Sequence, residues 1–220
     1  GPFYKEAVEA ASRAWEGRKE ARIGVGSRMI YGIGSSRRLP DGTGLWGSNQ
    51  ANPEAVMDNE CGVIRVEDAR RNLIGVAVNY SSHPTVLDGD NTLLSGDYAG
   101  IGMAEVERRL GGETVALFLQ GCAGDTGTQT FRKSRTIPEA ERLGQKLADE
   151  VLDIVPHINA TSWVLSGRNR MIELPQKAFD ATQPPTVPPV VEGKPIRDEI
   201  QALIIGDALI LAVGSMEAYV

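Results

Sequence analysis

Histidine is nearly missing from this chain: 220 residues contain two, His83 and His157. Cysteine is equally scarce, and Cys61 and Cys122 stand far apart without a CxxC spacing, which excludes a zinc knuckle or a disulfide framework. Cys61 opens an apolar strand and reads as a small buried thiol, whereas Cys122 sits in a glycine loop and reads as the more accessible. Positive charge is short as well. The net charge is -6, and the basic clusters Arg70-Arg71 and Arg132-Lys133-Ser134-Arg135 are brief and flanked by loop residues, which argues against a nucleic-acid surface. No apolar run is long enough to span a bilayer. No charged-then-apolar leader opens the chain, but both ends read as cut. The chain begins almost directly in a helix and stops at Ala218-Tyr219-Val220, just past an apolar strand. Aromatic residues make up only 5%, while glycines number 25, a balance that favours α/β over a helical bundle.

What is present has clear periodicity. Tyr4, Val8, Ala11 and Trp15 recur at helical spacing, predicting an amphipathic helix over 3–17. Residues 21–26 read as a strand, and 32–60, rich in Gly, Ser, Asn, Pro and Asp, as a long loop of the kind that is usually functional or disordered. Residues 63–66 and 73–78 form an expected hairpin, the second strand apolar at consecutive positions as if buried on both faces. A helix is expected over 98–110, a second buried strand over 114–119, and a long helix from about Pro138 to Pro156. Residues 162–174 read as a strand, 175–195 as a proline-rich excursion, and 199–205 with 208–213 as a hairpin around Gly206-Asp207. The expected fold is one α/β domain over 1–220, incomplete, with a mixed, largely buried β-sheet flanked by helices.

Four places join strand ends to polar or glycine-rich loops, where α/β proteins present their chemistry. In Asn79-Tyr80-Ser81-Ser82-His83-Pro84-Thr85 the imidazole follows a buried strand. It is either a metal ligand or a structural hydrogen-bonder. Asp88, Asp90 and Asp97 nearby are either carboxylates that orient a ligating imidazole or turn residues. The loop Gln120 to Thr128 lets backbone N–H groups approach a substrate oxygen, with Asp125 or Thr126 in reach, or it is a tight turn that needs glycine. Arg37, in Ser35-Ser36-Arg37-Arg38, can grip a carboxylate or phosphate, or be solvated. Glu217, past the last strand, can ligate zinc or be exposed.

Taken in order, Ser36-Arg37-Arg38, Asp58 to Asp68, Val78-Asn79-Tyr80 with His83-Pro84-Thr85, Leu94 to Gly100, Phe118 to Asp125 and Ile200 to Glu217 resemble the neutral/alkaline, non-lysosomal ceramidase family in its bacterial branch. The resemblance covers nearly the whole chain and rests on the ordered set, not on any single piece. It implies a zinc-dependent amidase that cuts the amide of N-acylsphingosine, with Zn2+ as cofactor and a lipid or small-molecule amide as partner. His83 is similar to the family's histidine ligand. Glu217 is similar to its glutamate ligand, though Ser215-Met216 stands where Pro-Gly is usual. The resemblance sets Arg37 toward the substrate and Asp125 beside the active site; together with the loop reading, Asp125 and Thr126 are the catalytic candidates, and Arg37, Gln120 and Gly124 the substrate-binding ones. It also points to export from the cytoplasm, to an extracellular or periplasmic place.

The departures shape the expectation. Gly1-Pro2 resembles the tail of the family's His-Thr-His-Ser-Gly-Pro stretch with the histidines missing; a protease-cleavage scar leaves the same pair. A tyrosine ligand and an Ig-like domain are expected beyond Val220, and Gly127 stands where the ceramidases have a serine. Only two of four zinc ligands are therefore expected within the chain, with weak zinc binding and no turnover from it alone. The rivals are a hydrolase of another amide or ester on the same scaffold, and a non-catalytic binding domain in which His83 and Asp97 are structural.

Overall fold

A computed structural model of the protein describes residues 2–37, 56–89, 91–174 and 195–213. Asp90, most of the long loop, the proline-rich excursion and the Ser215-Met216-Glu217 segment lie outside the described residues. In chain order the elements are α1 (Pro2–Glu16), β1 (Ala21–Met29), β2 (Ser35–Ser36), β3 (Glu60–Asp68), β4 (Leu73–Tyr80), α2 (Asp97–Leu110), β5 (Val115–Gln120), β6 (Thr126–Gly127), α3 (Ile137–Ile154), β7 (Leu165–Leu174), β8 (Ile196–Ile205) and β9 (Ala208–Val213).

The central sheet runs β1-β3-β4-β5. β1, β3 and β4 are antiparallel, and β5 lies parallel to β4, so the sheet is mixed as expected. The β3–β4 hairpin closes on Asp68, whose carboxylate accepts the N–H groups of Arg70 and Asn72 at 2.8 Å each. That turn puts Arg71 in the left-handed region, at φ +70°. The Asn72 contacts hold the half-buried Asp68 carboxyl below its usual range. Parallel pairing of β4 with β5 requires a crossover. α2 supplies it, entering by Gly96 and leaving by Gly111 at φ +70°.

The core lies between one face of this sheet and the α2/α3 pair. Ala140, Leu143, Leu147, Val151 and Ile154 recur at helical spacing along α3 and are buried against Val63, Val76, Val78, Tyr98 and Val106. The two helices meet backbone to backbone. A Cβ added at Gly144 would stand 2.9 Å from the Tyr98 carbonyl and 3.0 Å from the Gly102 nitrogen, so only glycine permits this approach. Pro138 sits in the first turn of α3, where its missing N–H is harmless, and the helix tightens into a 3-10 turn at Val155–His157.

One expectation is corrected here. β4 and β5 are packed on one face rather than two: Val76, Val78, Tyr80 and Ala116 are buried, while Val115 and Leu117 are 51% and 56% exposed. The described helices cover only the first face, so a continuous apolar run does not mark two-sided burial here. α1 forms at the expected place, but its stripe is exposed, Tyr4 at 77% and Trp15 at 68%. β7, β8 and β9 form a separate antiparallel sheet with its hairpin at Gly206, and Ser162, just before β7, makes an isolated bridge to Ile23 at the β1 edge.

Candidate functional site

The carboxyl ends of β4 and β5, parallel neighbours, open into a layer of loops on one rim of the sheet. Parallel strand ends of this kind are where open α/β folds bind ligands. The loop after β5 passes so close to the end of β4 that a Cβ at Gly121 would lie 3.1 Å from the Tyr80 carbonyl carbon. From there the chain forms β6, which pairs with β2: Ser35 faces Gly127 and Ser36 faces Thr126. This two-stranded ribbon carries Arg37 to the same rim.

The candidates largely converge. His83, half-buried, donates its backbone N–H to the Thr126 carbonyl at 3.3 Å. Thr126 is buried, and its hydroxyl donates to the Ser81 carbonyl at 2.7 Å. Arg37 donates from Nη2 to the Gly124 carbonyl at 2.7 Å, and its backbone N–H donates to the Asp125 carbonyl at 2.6 Å. Asp125 is buried, and Gln120, exposed at the end of β5, turns its amide back toward the Gly121 carbonyl at 3.1 Å. Six of the seven candidate residues thus share one rim. Glu217 lies outside the described residues.

Several of these contacts are structural in kind. The Thr126 hydroxyl and one Arg37 nitrogen already serve protein carbonyls. Asp97 acts on the backbone: its carboxylate accepts the N–H groups of Val86 and Leu87 at 3.1 and 2.9 Å. It holds the His83 segment in place, the turn-forming alternative to orienting the ring.

Beside these residues lies a feature that composition did not signal. Arg37 Nε, Ser82 Oγ, Thr85 Oγ1, Thr128 Oγ1 and Gln129 Oε1 are buried with no hydrogen-bond partner among the described residues. Buried polar atoms are nearly always paired, and each orphan costs about 1–3 kcal/mol. All five sit in the loops that surround His83 and the β2–β6 ribbon. By that measure this rim is the least satisfied part of the described residues. Only the arginine was singled out from sequence, because serine and threonine in loops look alike until their partners are counted.

The loop layer, the mixed sheet and the helix pair together match solved structures. The fold is that of the neutral ceramidases. The neutral ceramidase from Pseudomonas aeruginosa superposes with a TM-score of 0.68 at 18% identity, over 93% of this chain and 41% of that one. A ceramidase complexed with C2 gives 0.66 at 15% identity, over 91% and 42%. The chain therefore spans about two-fifths of the length of these ceramidases. No protein-family model matches the sequence, and no curated protein matches it.

The donor set bears on zinc. Among the described residues, no three His, Cys, Asp or Glu side chains are grouped as a metal ion requires. His83 is one suitable donor at the rim, and catalytic zinc usually takes three protein ligands. The described residues therefore do not make up a zinc site by themselves. Two other titratable groups near the rim are shifted by burial: the Tyr80 hydroxyl is pushed up to about 12, and the Tyr98 hydroxyl rises as well. Both stay protonated at neutral pH: the Tyr80 hydroxyl accepts the Gly34 N–H at 3.3 Å, and Tyr98 donates to the Ser82 carbonyl at 2.8 Å.

Proposed function

We propose that this chain is part of a hydrolase that cleaves the amide of a ceramide-like substrate at the loop rim around His83. The observation that carries this reading is the cluster of five unpaired buried polar atoms around that histidine, on a fold shared with ceramidases. In amide hydrolysis water attacks the carbonyl carbon, negative charge gathers on the carbonyl oxygen, the C–N bond breaks and a proton reaches the departing amine. Arg37 suits the second need. Its Nε–H is buried and donates to no described group, so it is available to the developing oxyanion. Asp125, held beside it by the Arg37 backbone, suits proton delivery to the amine. Gly124 and Gln120 present backbone and amide groups to orient the substrate.

His83 and Glu217 are the residues of this chain proposed to hold zinc, with the remaining ligands supplied from a longer protein. When bound, zinc supplies the Lewis acidity that brings water toward hydroxide near neutral pH. The residues of this chain then position, orient and exclude water.

A second reading has one observation in its favour. Gly127 is spent on backbone pairing with Ser35 and carries no hydroxyl, which favours a different amide or an ester over long-chain ceramide. Assaying the longer protein with N-acylsphingosine against short N-acyl and ester compounds separates the two. The 220-residue chain alone is expected to bind zinc weakly and to show no turnover; tight stoichiometric zinc with turnover would sink this part of the reading.

A further inference from the structure

Arg132 lies in the turn that follows β6 and reaches across to the His83 segment. It is anchored at its own backbone, where its N–H donates to the Thr128 carbonyl at 2.8 Å. Its side chain is 7% exposed, low for an arginine. From Nη1 it donates to the Thr85 carbonyl at 2.6 Å and lies 3.4 Å from the Val86 carbonyl. From Nη2 it meets the Asp88 carboxylate at 3.3 Å, which Arg135 also approaches, at 3.2 Å.

The opposite side of the same segment is held by the start of α2. The Asp97 carboxylate takes the Val86 and Leu87 N–H groups, and also the Tyr98 N–H at 2.7 Å. To do so Asp97 adopts φ +53°, a conformation that favours glycine. Tyr98 fixes the Ser82 carbonyl just before His83. The segment from Ser82 to Asp88 has no regular structure of its own, so side chains from two other elements satisfy its backbone. A guanidinium provides donors in a fixed planar fork, which no other side chain reproduces.

We propose that Arg132 is a positioning residue that, with Asp97 opposite it, sets the backbone of Thr85–Asp88 and so the place of His83. The inference deepens the proposed function and rests on it for what His83 does, but the positioning itself is read without metal. It also links the two halves of the rim, since Arg132 belongs to the loop that carries Thr128 and Gln129, whose buried polar atoms are unpaired among the described residues.

The test uses the 220-residue chain and its two histidines, whose imidazole NMR signals are assigned with His157→Gln. In metal-free Arg132→Met, the His83 ring signals should shift or broaden, and the Val86 and Leu87 amides should exchange at least tenfold faster. Amides in α3 and the thermal midpoint should change little. Arg132→Lys, which keeps the charge and loses the fork, should fall between. Asp97→Asn, which tolerates the same φ, should loosen the same amides from the other side. Zinc titration followed on the His83 signals should show weakening on the order of tenfold in Arg132→Met, the usual effect of removing a support behind a ligand. If zinc leaves His83 untouched in the unaltered chain, the functional reading fails while the metal-free comparison still decides the positioning. The proposal is overturned if His83 signals and amide exchange in Arg132→Met match the unaltered chain. It is also overturned if every amide loosens equally, which would make Arg132 a general support.

Discussion

The helix-covered face of the sheet and the loop rim at its carboxyl end are built on opposite terms. In the core, Leu143, Leu147, Val63 and Val78 are fully enclosed and bring no polar atoms that need partners. On the rim, a few residues away, five buried polar atoms have no partner among the described residues. The core gains stability from every buried group, while the rim gives some of it up. In native folds such groups call for an explanation, and a bound ligand or ion is one of them. The contrast is therefore what makes this rim the candidate site.

Substitutions can break that contrast at either end. The largest effect is expected in the core: Leu147→Ala removes fully buried methylenes and should cost about 2–5 kcal/mol by denaturant unfolding. Next comes a rim hydroxyl that has a partner. Thr126→Val strips the Ser81 carbonyl of its buried donor and should cost roughly 1–3 kcal/mol. Thr128→Val, two residues on, removes a hydroxyl with no described partner, so its cost should stay below about 0.5 kcal/mol, or stability should rise. A loss for Thr128→Val equal to that for Thr126→Val would erase the distinction between the two regions.

Acid sharpens the comparison more gently. Arg142 holds the Glu139 carboxyl below its usual value, aided by the Lys133 N–H at 2.6 Å. Its folded pKa is depressed, so its contribution is present above the unfolded pKa and is lost as pH falls through the folded one. Glu139→Gln should flatten the acid side of a stability–pH curve measured below about pH 4.5. Thiol labelling should show the smallest effect. Cys122, exposed, should react at once, whereas Cys61, buried and pushed up to about 12, should react only on unfolding.

Much of this was legible in the sequence. The spacing of Leu143, Leu147 and Val151 makes α3 unambiguous, and Gly206-Asp207 marks its hairpin because two-residue turns demand such residues. The depth of β4 and β5 was not legible. Val115 and Leu117 are apolar yet exposed, since periodicity reports what a strand can bury and not what covers it. At the rim, His83, Arg37 and Asp125 stood out by type and position. Ser82, Thr128 and Arg132 did not, because a hydroxyl without a partner or an arginine bridging two loops is a fact of three dimensions.

The most direct test of the account is a zinc titration of the 220-residue chain, followed on its two histidine side chains by NMR. The account predicts weak binding that perturbs His83 at the rim and leaves His157, at the end of α3, unmoved. Zinc that perturbs neither histidine, or His157 alone, would contradict it.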